Sequence, residues 1–130
     1  MSTVEKVEMG DITWTTKPYK VNTAQAPCGV APLHFESNSW TLAMNNDIEF
    51  FVTEIRPGGR AEKDMHPDAD HVFYYLSGYG YQIIDGVRYD VGPNDTLFVP
   101  RGCDHEMYVT GEETLRMVVT FSPCREAKRK

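Results

Sequence analysis

The sequence predicts an all-β chain that closes on itself as one small barrel or sandwich. Two observations carry that reading. The chain holds seven Tyr and six Phe, residues that favour a pleated surface. From residue 38 onward, short runs rich in β-branched and aromatic residues recur between turn signals, and no helical period interrupts them.

The elements follow in chain order. Residues 1–35 contain Pro18, Pro27 and Pro32, which disfavour a long helix. They are expected to form an N-terminal arm with short edge strands. Ser39–Asn45 and Ile48–Ile55 read as strands separated by the Asn45-Asn46-Asp47 turn, and Pro57-Gly58-Gly59 is expected to end the second. Val72–Leu76, Tyr79–Ile84 and Val87–Val91 follow, with Asp85-Gly86 marking a hairpin between the last two. Thr96–Val99, Glu106–Thr110 and Thr114–Phe121 complete the set. The barrel is thus expected over residues 36–124, with 125–130 as a basic, solvated tail.

At 130 residues, with 41% hydrophobic and 25% charged, the chain fits one globular domain. The net charge is −6, and the last six residues carry +3, leaving −9 on the rest. So acidic a body disfavours nucleic acid, which needs clustered Lys and Arg. No apolar run approaches membrane-spanning length. The MSTVEKVEMGD start has no apolar h-region. Cys28, Cys103 and Cys124 are an odd number, lie far apart and read as reduced thiols. A cytoplasmic location is expected. Cys103 reads as a loop-filling side chain rather than a ligand or nucleophile.

Two stretches concentrate the chemistry. GGRAEKDMHPDADHVFYYLSG spans residues 58–78, and NDTLFVPRGCDHEMYV spans 94–109. In the first, five residues separate Gly58 from Asp64, His66 follows at one remove, His71 comes after four more, and Gly78 after a further six. In the second, five residues separate Asn94 from Pro100, Gly102 follows at one remove, and two residues lead to His105. This pair of motifs resembles the cupin superfamily, whose patterns are G-x5-H-x-H-x3,4-E-x6-G and G-x5-P-x-G-x2-H-x3-N. Asp64 stands in place of the first histidine, His71 in place of the glutamate, Asn94 in place of the second motif's glycine, and Val109 in place of its asparagine. Asn tolerates a left-handed backbone, so the turn at 94 can survive. The resemblance implies a single-domain double-stranded β-helix, or jelly roll, and a homodimer.

Residues two apart on a strand share a face. Asp64 and His66 therefore point one way. His71, Phe73 and Tyr75 share a face on the next strand, as do His105 and Met107. If those faces converge, His66, His71, His105 and Asp64 form a donor set for one divalent metal ion per chain. Iron(II), zinc, manganese, nickel, cobalt and copper all suit such donors, and the resemblance, which includes iron oxygenases, favours iron(II). A rival set takes Asp70 in place of His71, but alternation turns the two to opposite sides. Tyr75 is a candidate proton donor, Phe73 and Met107 candidate pocket wall, and Arg101 a candidate contact for an anionic substrate. His34 is expected to be exposed, with a lid or substrate contact as the alternative. Trp14, Tyr19 and Trp40 are candidates to cover a barrel face or a dimer edge.

The expected activity is that of a metal-dependent, dioxygenase-type oxidoreductase acting on a small organic substrate. The alternatives are an oxygen-independent metal-dependent lyase, isomerase or cyclase, with Tyr75 or a histidine moving the proton, and a non-catalytic module that binds a small ligand.

Overall fold

The computed structural model describes residues 20–125, together with the backbone of two short strands ahead of them. These strands, β1 (Val7–Met9) and β2 (Ile12–Trp14), pair antiparallel. The side chains of Trp14 and Tyr19 lie outside the described residues, as does the tail beyond Arg125. A 3₁₀ turn at Thr23–Gln25 is capped by Asn22, whose side chain accepts from the Ala24 amide. Then come β3 (Cys28–Gly29), β4 (His34–Met44), β5 (Glu49–Asp64), β6 (Asp70–Ser77), β7 (Tyr79–Ile84), β8 (Val87–Val91), β9 (Thr96–Val99), β10 (His105–Thr110) and β11 (Leu115–Ser122). No helix among the described residues is long and apolar enough to cross a membrane.

All pairings are antiparallel, in the lateral order β8-β7-β10-β5-β11-β6-β9, with β3 and β4 added on β5. The result is a nearly closed jelly-roll barrel. Strand β5 is its spine. Residues Glu49–Ile55 pair with β11, and Arg60–Asp64 pair with β10. One strand therefore belongs to both faces.

Pro57-Gly58-Gly59 does not end this strand, contrary to expectation. It makes the corner. The β4 register jumps from Ser37 opposite Ile55 to Phe35 opposite Arg60. Gly58 takes φ +83°, and Glu36 opposite takes φ +56°. A Cβ on Gly59 would stand 2.5 Å from the Phe35 carbonyl oxygen, so only glycine fits. Pro57 has no N–H to lose, and the bulge needs none there. β4 also starts earlier than expected, at His34, because the second half of β5 gives it a partner. Of the other strands, β7, β8 and β9 keep their expected limits, and β6, β10 and β11 differ by one or two residues.

Alternation sorts the faces. On β11, Leu115, Met117, Val119 and Phe121 are buried while their neighbours are half-exposed or exposed. On β6, His71, Phe73 and Tyr75 point inward. With Ile55, Val91, Val99 and Met107, these residues make one core. That core fills the barrel at one end only. The other end stays open as a cavity of about 550 Å³, whose mouth is bordered by Pro27–Pro32.

Candidate metal centre

Each histidine reaches the cavity by its own route. His71 lies on β6, opposite Val99 of β9 and Phe121 of β11. His105 opens β10, opposite Ile84 and Asp64. His66 stands just past the end of β5, where the Gly102 amide donates to its carbonyl at 2.9 Å. That bond joins the first histidine stretch directly to the Pro100–Gly102 turn of the second. Gly102 and Asn94 both take left-handed backbone, at φ +85° and +74°, so Asn94 serves as the turn residue that its position suggested.

The ligating nitrogens of His66, His71 and His105 all lie within 4.8 Å of one another. Donors bound about 2.0–2.1 Å from a shared ion need little convergence from there. His105 Nδ1 lies 3.5 Å from the Cys103 carbonyl oxygen, a contact that helps to orient the ring. His71 is the most telling of the three. It is 4% exposed, stacks on Phe121 at 3.7 Å, and neither ring nitrogen has a hydrogen-bond partner among the described residues. Buried polar atoms are ordinarily paired. A buried imidazole with no partner among the described residues therefore calls for one from outside the chain, and a metal ion would supply it at one of the two nitrogens.

Electrostatics agree. Burial pushes the His66 imidazole down to about 4, against the opposing pull of Asp64. Burial also holds His71 well below the ordinary 6.5 and lowers His105. Neutral imidazole is the metal-binding form.

Asp64 stands beside this group, outside the triad of converging donors. Its Oδ2 is 3.7 Å from His66 Nε2, and its Oδ1 accepts from the Met65 amide at 2.8 Å. Asp70 points elsewhere: it accepts from the Arg101 backbone N–H and guanidinium at 3.0–3.1 Å, which holds its carboxyl below the usual range. The same fork accounts for Arg101, which is committed to Asp70 and does not line the cavity. Phe73 and Met107 do line it. Tyr75 does not. Its ring lies in the core with 0% exposure, its hydroxyl accepts from Gln82 Nε2 at 2.7 Å and faces Met107 Sδ at 3.6 Å, and burial raises it far above the ordinary phenol range. Cys103 packs against the core as a loop filler.

Two further residues line the cavity, each against the expectation of exposure. His34 lines the wall rather than the surface, with Nδ1 3.2 Å from Ser37 Oγ, and burial lowers it too. Arg125, assigned to a solvated tail, folds back instead. Its backbone N–H and guanidinium bind the buried carboxylate of Glu49, and its guanidinium lies 3.6 Å over the Phe121 ring.

Residues 51–121 match the family model described as a cupin domain. No curated protein matches. Among solved structures, an RmlC-like cupin from Shewanella frigidimarina is similar at 21% identity and TM-score 0.74, covering 85% of this chain and 95% of its own. A protein described as a predicted oxalate decarboxylase from Thermotoga maritima matches at 18% identity and TM-score 0.74, over 81% of this chain and 99% of that one. KdgF from Halomonas sp. matches at 18% identity and TM-score 0.64, over 68% and 80%. These likenesses establish the fold.

Proposed function

Since this chain belongs to the cupin family, we propose that its three-histidine cavity makes it a mononuclear metalloenzyme acting on a small organic molecule, as an iron(II)-dependent, dioxygenase-type oxidoreductase. The observation that carries the metal is His71, buried, without a hydrogen-bond partner among the described residues and clustered with His66 and His105. Those three histidines would hold the ion, with Asp64 beside them as a fourth donor or as an anchor for His66. When bound, the ion supplies Lewis acidity and, as iron(II), redox contact with dioxygen. The chain supplies the rest. Phe51, Phe73, Met107, Met117 and Val119 form an apolar wall that excludes water and positions an apolar substrate body.

The test is elemental analysis of protein purified without chelator, followed by anaerobic iron reconstitution and oxygen-uptake screening. Oxygen consumed in proportion to product supports the reading, and turnover unchanged in an anaerobic chamber sinks it.

His34 favours a second reading, the oxygen-independent lyase, isomerase or cyclase. It is a neutral imidazole on the cavity wall, and its Ser37 contact fixes the ring. It takes over the proton-moving role that Tyr75, sealed in the core, is not placed to fill. A predicted oxalate decarboxylase among the similar folds is consistent with such chemistry.

The proposal also places the protein in the cytoplasm as a homodimer. Val72, Tyr74, Leu76 and Phe98 leave an exposed apolar patch on the outer face of β6 and β9, suited to a second copy. Light scattering that returns a monomer mass would remove the dimer.

A further inference from the structure

We propose that Arg125 is an anion anchor inside the cavity, and that the substrate carries a carboxylate on a largely apolar body. The proposal rests on the cavity being the reaction site, as argued above.

Glu49 falls on the inward phase of β5 and is only 1% exposed. Such a carboxylate needs a partner. Arg125 provides one through three bonds: its backbone N–H and Nε to Oε2, and Nη2 to Oε1 at 2.9 Å. This uses the Nε–Nη2 edge of the guanidinium. A guanidinium has five N–H donors, and two edges can each grip a carboxylate in parallel. The remaining edge, Nη1 with the second Nη2 hydrogen, has no partner among the described residues.

Arg125 is also held in place. It is clamped by Glu49, lies over Phe121, and lines the cavity. A guanidinium already fixed by one carboxylate loses little freedom when it binds a second.

Its position relative to the metal centre follows from the sheet. Glu49, Phe121 and His71 form one row across β5, β11 and β6. Phe121 stacks on His71 at 3.7 Å and carries the guanidinium at 3.6 Å. Both cannot occupy the same face of the ring, so Phe121 separates them. The cation therefore sits at the level of the histidines but two stacking distances to the side. With both lining one cavity, it can hold one end of a small molecule whose other end reaches the histidines. The wall between is apolar, with Phe51 and Val119, and the Ser39–Thr53 hydroxyl pair lies further along it. A molecule that suits both ends has an oxygen for the metal, an apolar middle and a carboxylate for Arg125.

The probe is benzoate, with neutral benzamide as its isostere, titrated by calorimetry and NMR into chelator-treated protein. Omitting the metal separates this test from the metal assignment, which elemental analysis of the same proteins checks on its own. Wild type should bind benzoate and discriminate against benzamide by roughly tenfold or more. Arg125→Met should lose that discrimination while keeping whatever metal content the wild type shows. Because Arg125→Met strands the Glu49 carboxylate, the double variant Glu49→Gln/Arg125→Met, which buries no unpaired charge, should fold as wild type and also fail to discriminate. Wild type that does not prefer benzoate to benzamide, or a folded double variant that keeps the preference, would overturn the proposal.

Discussion

The imidazole of His71 concentrates the problem of the site in one side chain: two polar nitrogens in a dry, aromatic setting. His71→Ala and His105→Ala should abolish metal retention, measured by elemental analysis, with the barrel folded by circular dichroism. His34→Ala should retain the metal and, under the oxygen-independent reading, lower turnover. Tyr75→Phe should leave metal content unchanged but cost about 1–3 kcal/mol in chemical denaturation, because it strands the Gln82 amide in the core. The triad was legible in sequence because its spacing is local to two motifs. Tyr75 was misassigned for a physical reason. Strand phase puts it on the same face as His71, but four residues carry it roughly 13 Å further along the strand, into the packed end of the barrel. His34 and Arg125 had no local signal, since tertiary pairing brings them to the cavity. One trace did exist: Glu49 sits at an inward position of a strand and so demanded a buried cation.

Among the elements, turn chemistry was the most readable level. The Asp85-Gly86 hairpin has both residues left-handed, at φ +47° and +82°, and β7 and β8 take their expected limits on either side of it. The Pro57-Gly58-Gly59 corner shows where local reading stops. The same residues that end a strand can bend one, and which happens depends on whether a partner continues beyond the kink. Here β10 pairs Arg60–Asp64 and keeps the strand alive. Gly78, the last glycine of the first motif, tests the tolerance of such joints. Its φ is +80°, and a Cβ there would stand 2.4 Å from the Thr114 carbonyl oxygen. Gly78→Ala should lower stability by about 2 kcal/mol or more, read as a drop in denaturation midpoint.

For the whole molecule, the four cavity histidines tie stability to pH. All four are held below the ordinary 6.5 by burial, His66 down to about 4. In the unfolded chain they take up protons as pH falls through 6.5, and in the folded chain they resist until lower. The unfolded state therefore binds more protons in that window, and folding stability drops as pH falls from about 6.5 toward 4. Melting temperatures of chelated protein should be flat above 6.5 and decline below it. Added metal should raise the melt at neutral pH and lose that effect on acidification, because protons and metal compete for the same nitrogens. The Gly102-to-His66 backbone bond carries a consequence for selectivity. The three candidate donors come from the end of β5, from β6 and from β10, and that bond closes the chain between residues 66 and 102. The donor set thus comes together only through pairings between strands distant in sequence. Any ion that the three imidazoles select would therefore meet them only in the assembled barrel, so the selection is a property of the fold and not of either motif alone.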